Sequence, residues 1–169
     1  DDSSLVTGIS EQADSREVTT AQIDYTVKPN DKFDIKGQYN FYWAKQNMLS
    51  FYDTVSNTFI IQPTVYFEKS ILTFPCGYAH MLVDDRAYLS QPITSAMYNF
   101  MVGKNNMGQV HMRYFYKDFR WTSSTPAENR TSNDLGGSFG WYYFFDKNRG
   151  FINARYGLNR EYTKGNNWD

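Results

Sequence analysis

Residues 20–43 read TAQIDYTVKPNDKFDIKGQYNFYW. Ala21, Ile23, Tyr25 and Val27 alternate with Thr20, Gln22, Asp24 and Thr26. A turn of Lys28-Pro29-Asn30-Asp31 follows, and then Phe33, Ile35, Gly37, Tyr39, Phe41 and Trp43 alternate with Asp34, Lys36, Gln38 and Asn40. Side chains on a strand alternate between faces, so two period-two runs joined by Pro, Asn and Asp predict a β-hairpin. No stretch of the chain has the 3.6-residue period of an amphipathic helix.

The same alternation recurs downstream. Phe59, Ile61, Pro63, Val65 and Phe67 alternate with Thr58, Gln62, Thr64 and Glu68. Residues 71–83 predict a strand with both faces mixed, and 88–102 another, with Thr94, Ala96, Tyr98, Phe100 and Val102 on one face. Gly103-Lys104-Asn105-Asn106 turns into Val110, Met112, Tyr114 and Tyr116, which alternate with Gln109, His111, Arg113 and Lys117. Leu135, Gly137, Phe139, Trp141, Tyr143 and Phe145 form the next face, opposite Gly136, Ser138 and Gly140. After 146–150 come Ile152, Ala154, Tyr156 and Leu158, opposite Asn153, Arg155 and Asn159. About eight long strands result, of roughly 11–14 residues each against the usual 5–6. Connections at 28–32, 69–70, 103–107 and 146–150 are short; those at 44–57 and 122–133 are long and polar, with 84–87 intermediate. Short and long connections thus alternate, as in an up-and-down barrel with one tight rim and one looped rim.

Composition narrows the function. The chain has 169 residues, a net charge of −1 and 18% aromatic residues. The even charge argues against nucleic acid. With one cysteine and two histidines, neither a disulfide framework nor a thiolate or His-rich metal site is expected, and no cofactor. No apolar run approaches the ~18 residues of a membrane helix. The chain begins at Asp1 without a leader, so it is expected to be a processed or truncated product.

In a soluble sheet protein the apolar series faces a core; in a membrane barrel it faces lipid and the polar series faces the lumen. Aromatics sit near the ends of several apolar series: Phe33 and Trp43 bracket one, Phe59 and Phe67 another, and Tyr143 and Phe145 end a third. They suggest girdles at the two interfaces. On these features the chain resembles a Gram-negative outer-membrane β-barrel. The tail 163–169 (TKGNNWD) and the acidic, Ser-rich start are similar to barrels appended to periplasmic helical-repeat proteins in exopolysaccharide export. The expected fold is an all-β, antiparallel up-and-down transmembrane β-barrel of about eight strands, or a segment of a larger barrel. It spans 1–169 as one domain, with 1–16 and 161–169 as loop-like ends.

The resemblance implies a porin-like pore or translocation channel in the bacterial outer membrane, with the lipid bilayer as partner and further strands or chains completing the wall. No enzymatic activity is expected. A soluble lipocalin-like or carbohydrate-binding protein is the alternative, as is a plugged structural or adhesive barrel. The lumen-lining candidates are Asp24, Asp34, Lys36 and Glu68 on the first three strands and Arg113, Lys117 and Arg155 on strands six and eight. Tyr42, Tyr66 and Tyr142 share that face as platforms for sugar rings. An acidic wall would then oppose a basic one and set a transverse field. Other groups read as bland: His80 and His111 lack a catalytic spacing, Asp84-Asp85-Arg86 reads as a solvated turn, and Asn129-Arg130-Thr131 as a chance sequon. Gly136, Gly137 and Gly140 precede no helix and mark close backbone approach rather than a phosphate loop.

Overall fold

The computed structural model of the chain describes residues 15–120, 129–145, 147 and 149–165. Residues 1–14 and 166–169 of the expected loop-like ends, and 122–128 of the connection expected over 122–133, lie outside the described residues, while Ser132 and Asn133 of that connection belong to a strand. Nine strands form a single antiparallel sheet: β1 (Arg16–Asn30), β2 (Phe33–Gln46), β3 (Thr54–Tyr66), β4 (Ser70–Thr73), β5 (Cys76–Val83), β6 (Arg86–Val102), β7 (Asn106–Phe119), β8 (Ser132–Phe145) and β9 (Gly150–Thr163). Neighbours in sequence are neighbours in the sheet, and β4 and β5 together fill one position between β3 and β6. β1 pairs only with β2, and β9 only with β8. Apart from one 3₁₀ turn at Ser50–Tyr52, the described residues contain no helix.

The sequence predicts one strand over 71–83, and proline divides it. Pro75 has no N–H to donate, and neither has Pro63 on β3. In an antiparallel strand a residue's N–H and C=O point to the same neighbour. The Pro63 carbonyl accepts from Phe74 N–H at 3.0 Å, so the donor Pro63 lacks falls on the side where the ladder is interrupted. On the other side the Pro75 carbonyl accepts from Ser95 N–H at 2.8 Å. The register survives the gap. Thr64 opposes Thr73 before it and Ile61 opposes Cys76 after it, three residues on along both strands.

Other boundaries also shift. The connection expected over 44–57 is only 47–53, since β2 runs to Gln46 and β3 starts at Thr54. Arg16 and residues 161–163, expected in the loop-like ends, belong to β1 and β9. The connection expected over 84–87 is a two-residue turn, with Val83 opposite Arg86. Asp84 and Asp85 both have positive φ, 51° and 58°, as a type I′ hairpin requires and as Asp tolerates better than bulkier residues. The looped rim thus contains one tight turn, and the strict alternation of connection lengths fails there.

Register places the side chains on two faces. One carries Ile23, Tyr25, Ile35, Tyr39, Phe59, Ile61, Tyr78, Tyr98, Val110, Met112, Phe139, Tyr156 and Leu158. No described element packs on it: Ala44 is the one buried hydrophobic residue among those described, while Tyr25 is 72% and Tyr156 70% exposed. Phe59 departs from the girdle pattern, lying mid-strand in a cross-strand row Tyr39–Phe59–Tyr78. The other face is polar over β1–β3 and β7–β9. Over β4–β6 it carries Ile71, Ala79, Met81, Ile93, Met97 and Met101, an apolar strip between two polar walls.

The strands lean together. A row of paired residues leaves Tyr25, nine residues in from Arg16, and passes Gly37, Ile61, Cys76, Thr94, Tyr114 and Leu135 to Arg160, three residues from Thr163. At about 3.3 Å per residue and about 4.8 Å per strand, that drift of six residues over seven steps is a lean of about 30°.

Gly77 is the second residue of β5, where a Cβ would run into the carbonyl oxygen of Phe59 and the backbone of Ile60. Gly77→Val forces that backbone contact apart and is expected to destabilise the sheet by about 1–3 kcal/mol. Gly37→Val, where a Cβ meets only a backbone oxygen at 3.8 Å, is expected to stay within about 1 kcal/mol. Urea unfolding followed by tryptophan fluorescence compares the two.

Candidate functional site: the polar face of the sheet

The polar face follows from the same period-two placement. Nine of the ten candidate residues project from it: Asp24, Asp34, Lys36, Tyr42, Tyr66, Arg113, Lys117, Tyr142 and Arg155. Glu68 does not, because β3 ends at Tyr66 and Glu68 sits in the turn to β4. His111 lies on this face between Gln109 and Arg113, whereas His80 lies on the apolar face, opposite Asn57 and Ser90.

On the β1–β3 wall the charges are locally engaged. Lys36 Nζ lies 3.3 Å from Asp24 Oδ2, and Gln22 donates to the same oxygen at 2.8 Å. The Tyr66 hydroxyl donates to Asp34 Oδ2 at 2.6 Å. Tyr42 stands between Thr20 and Ser56.

The β7–β9 wall holds a network with a buried centre. Asp134 is 5% exposed. Lys117 Nζ reaches Asp134 Oδ2 at 3.0 Å and Glu161 Oε2 at 2.9 Å, and Ser132 donates its hydroxyl to Glu161. Asp134 Oδ1 accepts no hydrogen bond and lies 3.8 Å from Arg113 Nη2. Lower on the wall, Arg113 donates to Asn159 Oδ1 at 3.0 Å. Arg155 donates to Gln109 Oε1, and Gln109 is itself fixed by donating to Asn99 Oδ1 at 2.7 Å.

These contacts join β7 to β9 across β8, which only small residues on β8 allow. Its polar-face positions there are Gly136, Ser138 and Gly140. A Cβ on Gly136 would sit 2.8 Å from both Arg113 Nε and Asn159 Oδ1, so the pair meets directly above that glycine. The result is a trough of about 320 Å³ lined by His111, Arg113, Ser138, Arg155 and Asn159 over a glycine floor.

The expected opposition of an acidic and a basic wall is much reduced. Lys36 offsets one of the two carboxylates on β1–β3, and on β7–β9 Asp134 and Glu161 both pair with Lys117, Asp134 lying also 3.8 Å from Arg113. Charge is separated along the strands instead. Both carboxylates lie near the looped rim, while Arg113 and Arg155 sit lower, held by neutral amide oxygens. The sequence signal for Asp134 and Glu161 was the period itself. One further step along the polar series of β8, past Gly136, reaches Asp134, and one along β9, past Asn159, reaches Glu161, which lies in the expected loop-like end 161–169.

Polar atoms on the apolar face pair with aromatic heads. Tyr39 and Tyr114 donate their hydroxyls to Asn57 and Asn133 at 2.6 and 2.7 Å, and Trp141 Nε1 donates to Asn106 at 3.2 Å. Among the described strand residues, Asp, Glu, Lys and Arg are confined to the ends of this face: Glu17, Lys45, Asp118 and Arg160, all toward the looped rim. Between the ends lie stretches such as Thr19–Pro29, Phe33–Trp43, Val55–Val65 and Asn106–Tyr116 whose apolar-face positions hold none of these four residue types.

No family model, curated protein or solved structure matches the chain.

Lys117→Met leaves two carboxylates, one of them buried, without their shared cation. We expect it to cost about 1–3 kcal/mol. Lys36→Met breaks a half-exposed pair and is expected to cost under about 1 kcal/mol. Equal effects in urea unfolding would remove the network from any account of wall stability.

Proposed function

We propose that this chain forms the wall, or a segment of the wall, of a β-barrel in the outer membrane of a Gram-negative bacterium, and that its polar face lines a pore for polar solutes or saccharides. The observation that carries this reading is the uncharged band on the exposed, unbacked face. An 11-residue stretch rises about 33 Å along a strand and, at a lean of about 30°, about 29 Å along the barrel axis. That lies close to the apolar band of roughly 25 Å on outer-membrane barrels and the roughly 30 Å hydrocarbon core. The lean itself approaches the 35–45° of closed barrels. A water-soluble protein rarely leaves so wide an apolar surface uncovered.

Under this reading the edges need partners. A lipid-exposed N–H or C=O without a partner costs several kcal/mol, so a spanning sheet must close. β1 starts and β9 ends at the looped rim, so they run antiparallel to each other. They suit closure on each other, or ladders with further strands or chains. Eight positions closed alone leave an interior filled by side chains, while a wider ring leaves a channel. The apolar strip over β4–β6 favours a second reading, a plugged structural barrel whose lumen packs against Ile71, Met97 and Met101.

Met112 lies mid-strand on the uncharged face and is 59% exposed. In water Met112→Lys is expected to be neutral within about 0.5 kcal/mol. Facing lipid near the midplane it is expected to cost about 2–4 kcal/mol. Thr58→Lys, on the polar face, is the control. Unfolding from lipid vesicles that leaves both variants unchanged would sink the membrane reading. If Met112→Lys alone is destabilised, discrete conductance steps in a planar bilayer mark the pore, and their absence marks the plugged wall.

A further inference from the structure

We propose that the trough over β8 is a binding site for an oxyanion, carboxylate or phosphate, carried by a sugar. The proposal deepens the reading of the polar face as a wetted, solute-facing surface.

Charge and its surroundings select the anion. Two guanidiniums, Arg113 and Arg155, flank the trough, and none of its lining residues is acidic. The nearest carboxylate, Asp134, is 3.8 Å from Arg113 and is already engaged by Lys117 at 3.0 Å. Among the described residues no carboxylate makes an ion pair with Arg155. The hydrogen bonds of the two guanidiniums go to amide oxygens, on Asn159 and Gln109. An amide oxygen orients a guanidinium without cancelling its charge. A guanidinium has five N–H donors in a planar fork that matches carboxylate and phosphate geometry, so donors remain for a ligand.

The floor and its neighbour select the sugar. Gly136 and Gly157 leave the backbone of β8 and β9 bare, so a ring can approach closely, and about 320 Å³ falls at the low end for small-molecule sites. At the next polar-face position, Tyr142 lies over Gly140: a Cβ there would touch the ring at 3.4 Å. Gly140 is paired with Arg155, so the Tyr142 ring stands over the β8 residue opposite that cation. Ser138, His111 and Asn159 supply neutral hydrogen-bonding groups for hydroxyls. An aromatic plane beside two forked cations fits a pyranose bearing one anionic group.

The test is titration calorimetry on the whole detergent-solubilised protein with digalacturonate, glucose 6-phosphate, inorganic phosphate and maltose. Digalacturonate or glucose 6-phosphate should bind at least tenfold more tightly than maltose, and which of the two binds better assigns carboxylate or phosphate. Arg155→Gln should weaken that binding at least tenfold. Tyr142→Leu should weaken the sugar ligands and leave inorganic phosphate unchanged. Ser138→Leu fills the floor with both arginines kept, and should abolish sugar binding even if Arg155→Gln fails to fold. Maltose binding as tightly as the anions, or anion binding indifferent to both Arg155→Gln and Ser138→Leu, overturns the site. The outcome is separable from that of the wall: a Met112→Lys penalty without anion binding leaves the membrane reading intact and removes the site, and anion binding without a penalty does the reverse.

Discussion

Register is the constraint on which everything else in this molecule depends. Side chains alternate with a period of two, so a slip of one residue in any ladder would exchange the faces of every strand beyond it. Seven inter-strand positions carry the pairing from Tyr25 to Arg160, and the apolar residues stay on one side throughout. A sheet with a second layer can lean on core packing to hold its register. This one has Ala44 as its only buried hydrophobic residue among those described, so the ladders and the polar side-chain pairs must specify it.

The irregularities make sense in that light. Each is placed where the faces can be kept. The interruption at Phe74-Pro75 removes hydrogen bonds but adds no residue, so β5 continues the faces of β4. The extra residues fall at strand ends. One lies beside the first turn, where Lys28 and Pro29 sit between the Val27 and Asn30 pairs; the other is Tyr88, next to the Asp84-Asp85 turn. A bulge at a strand end re-aims few side chains, whereas one at mid-strand would turn half a strand over. Pro29 lies on β1, whose outer edge has no ladder partner among the described residues, a position that tolerates a missing donor.

How far the sequence is legible follows from the same physics. The hairpin of β1 and β2 and the strands β7, β8 and β9 are legible because their faces differ sharply in polarity, as Ile152-Asn153-Ala154-Arg155 does. Residues 71–83 are legible as extended chain but not as two strands. Proline spacing alone does not say which neighbour each missing donor faces, and that depends on pairing with Pro63. Strand ends were read too short because Asp134 and Glu161 look like loop residues, and only their shared partner Lys117 reveals them as part of the wall. The charge-poor band was partly hidden for a related reason: Phe59 sits mid-strand rather than at an interface, so the aromatics do not form two clean rows. The band emerges when charges, not aromatics, are followed across the register.

Following the charges also explains why the two arginines stand apart. Near the looped rim Lys117 is shared by Asp134 and Glu161, and Arg113, 3.8 Å from Asp134, brings the second positive charge that a carboxylate as buried as Asp134 requires. Lower on the wall the glycine floor lets Arg113 and Arg155 reach inward with no carboxylate beside Arg155. Burying such charges would be prohibitive in a packed interior; it is tolerable where water or a mobile anion reaches them. The uncovered apolar face argues for a nonpolar medium on one side of the sheet, and these guanidiniums argue for a wet, anion-accessible space on the other. The proposed barrel wall between lipid and an aqueous lumen would satisfy both demands.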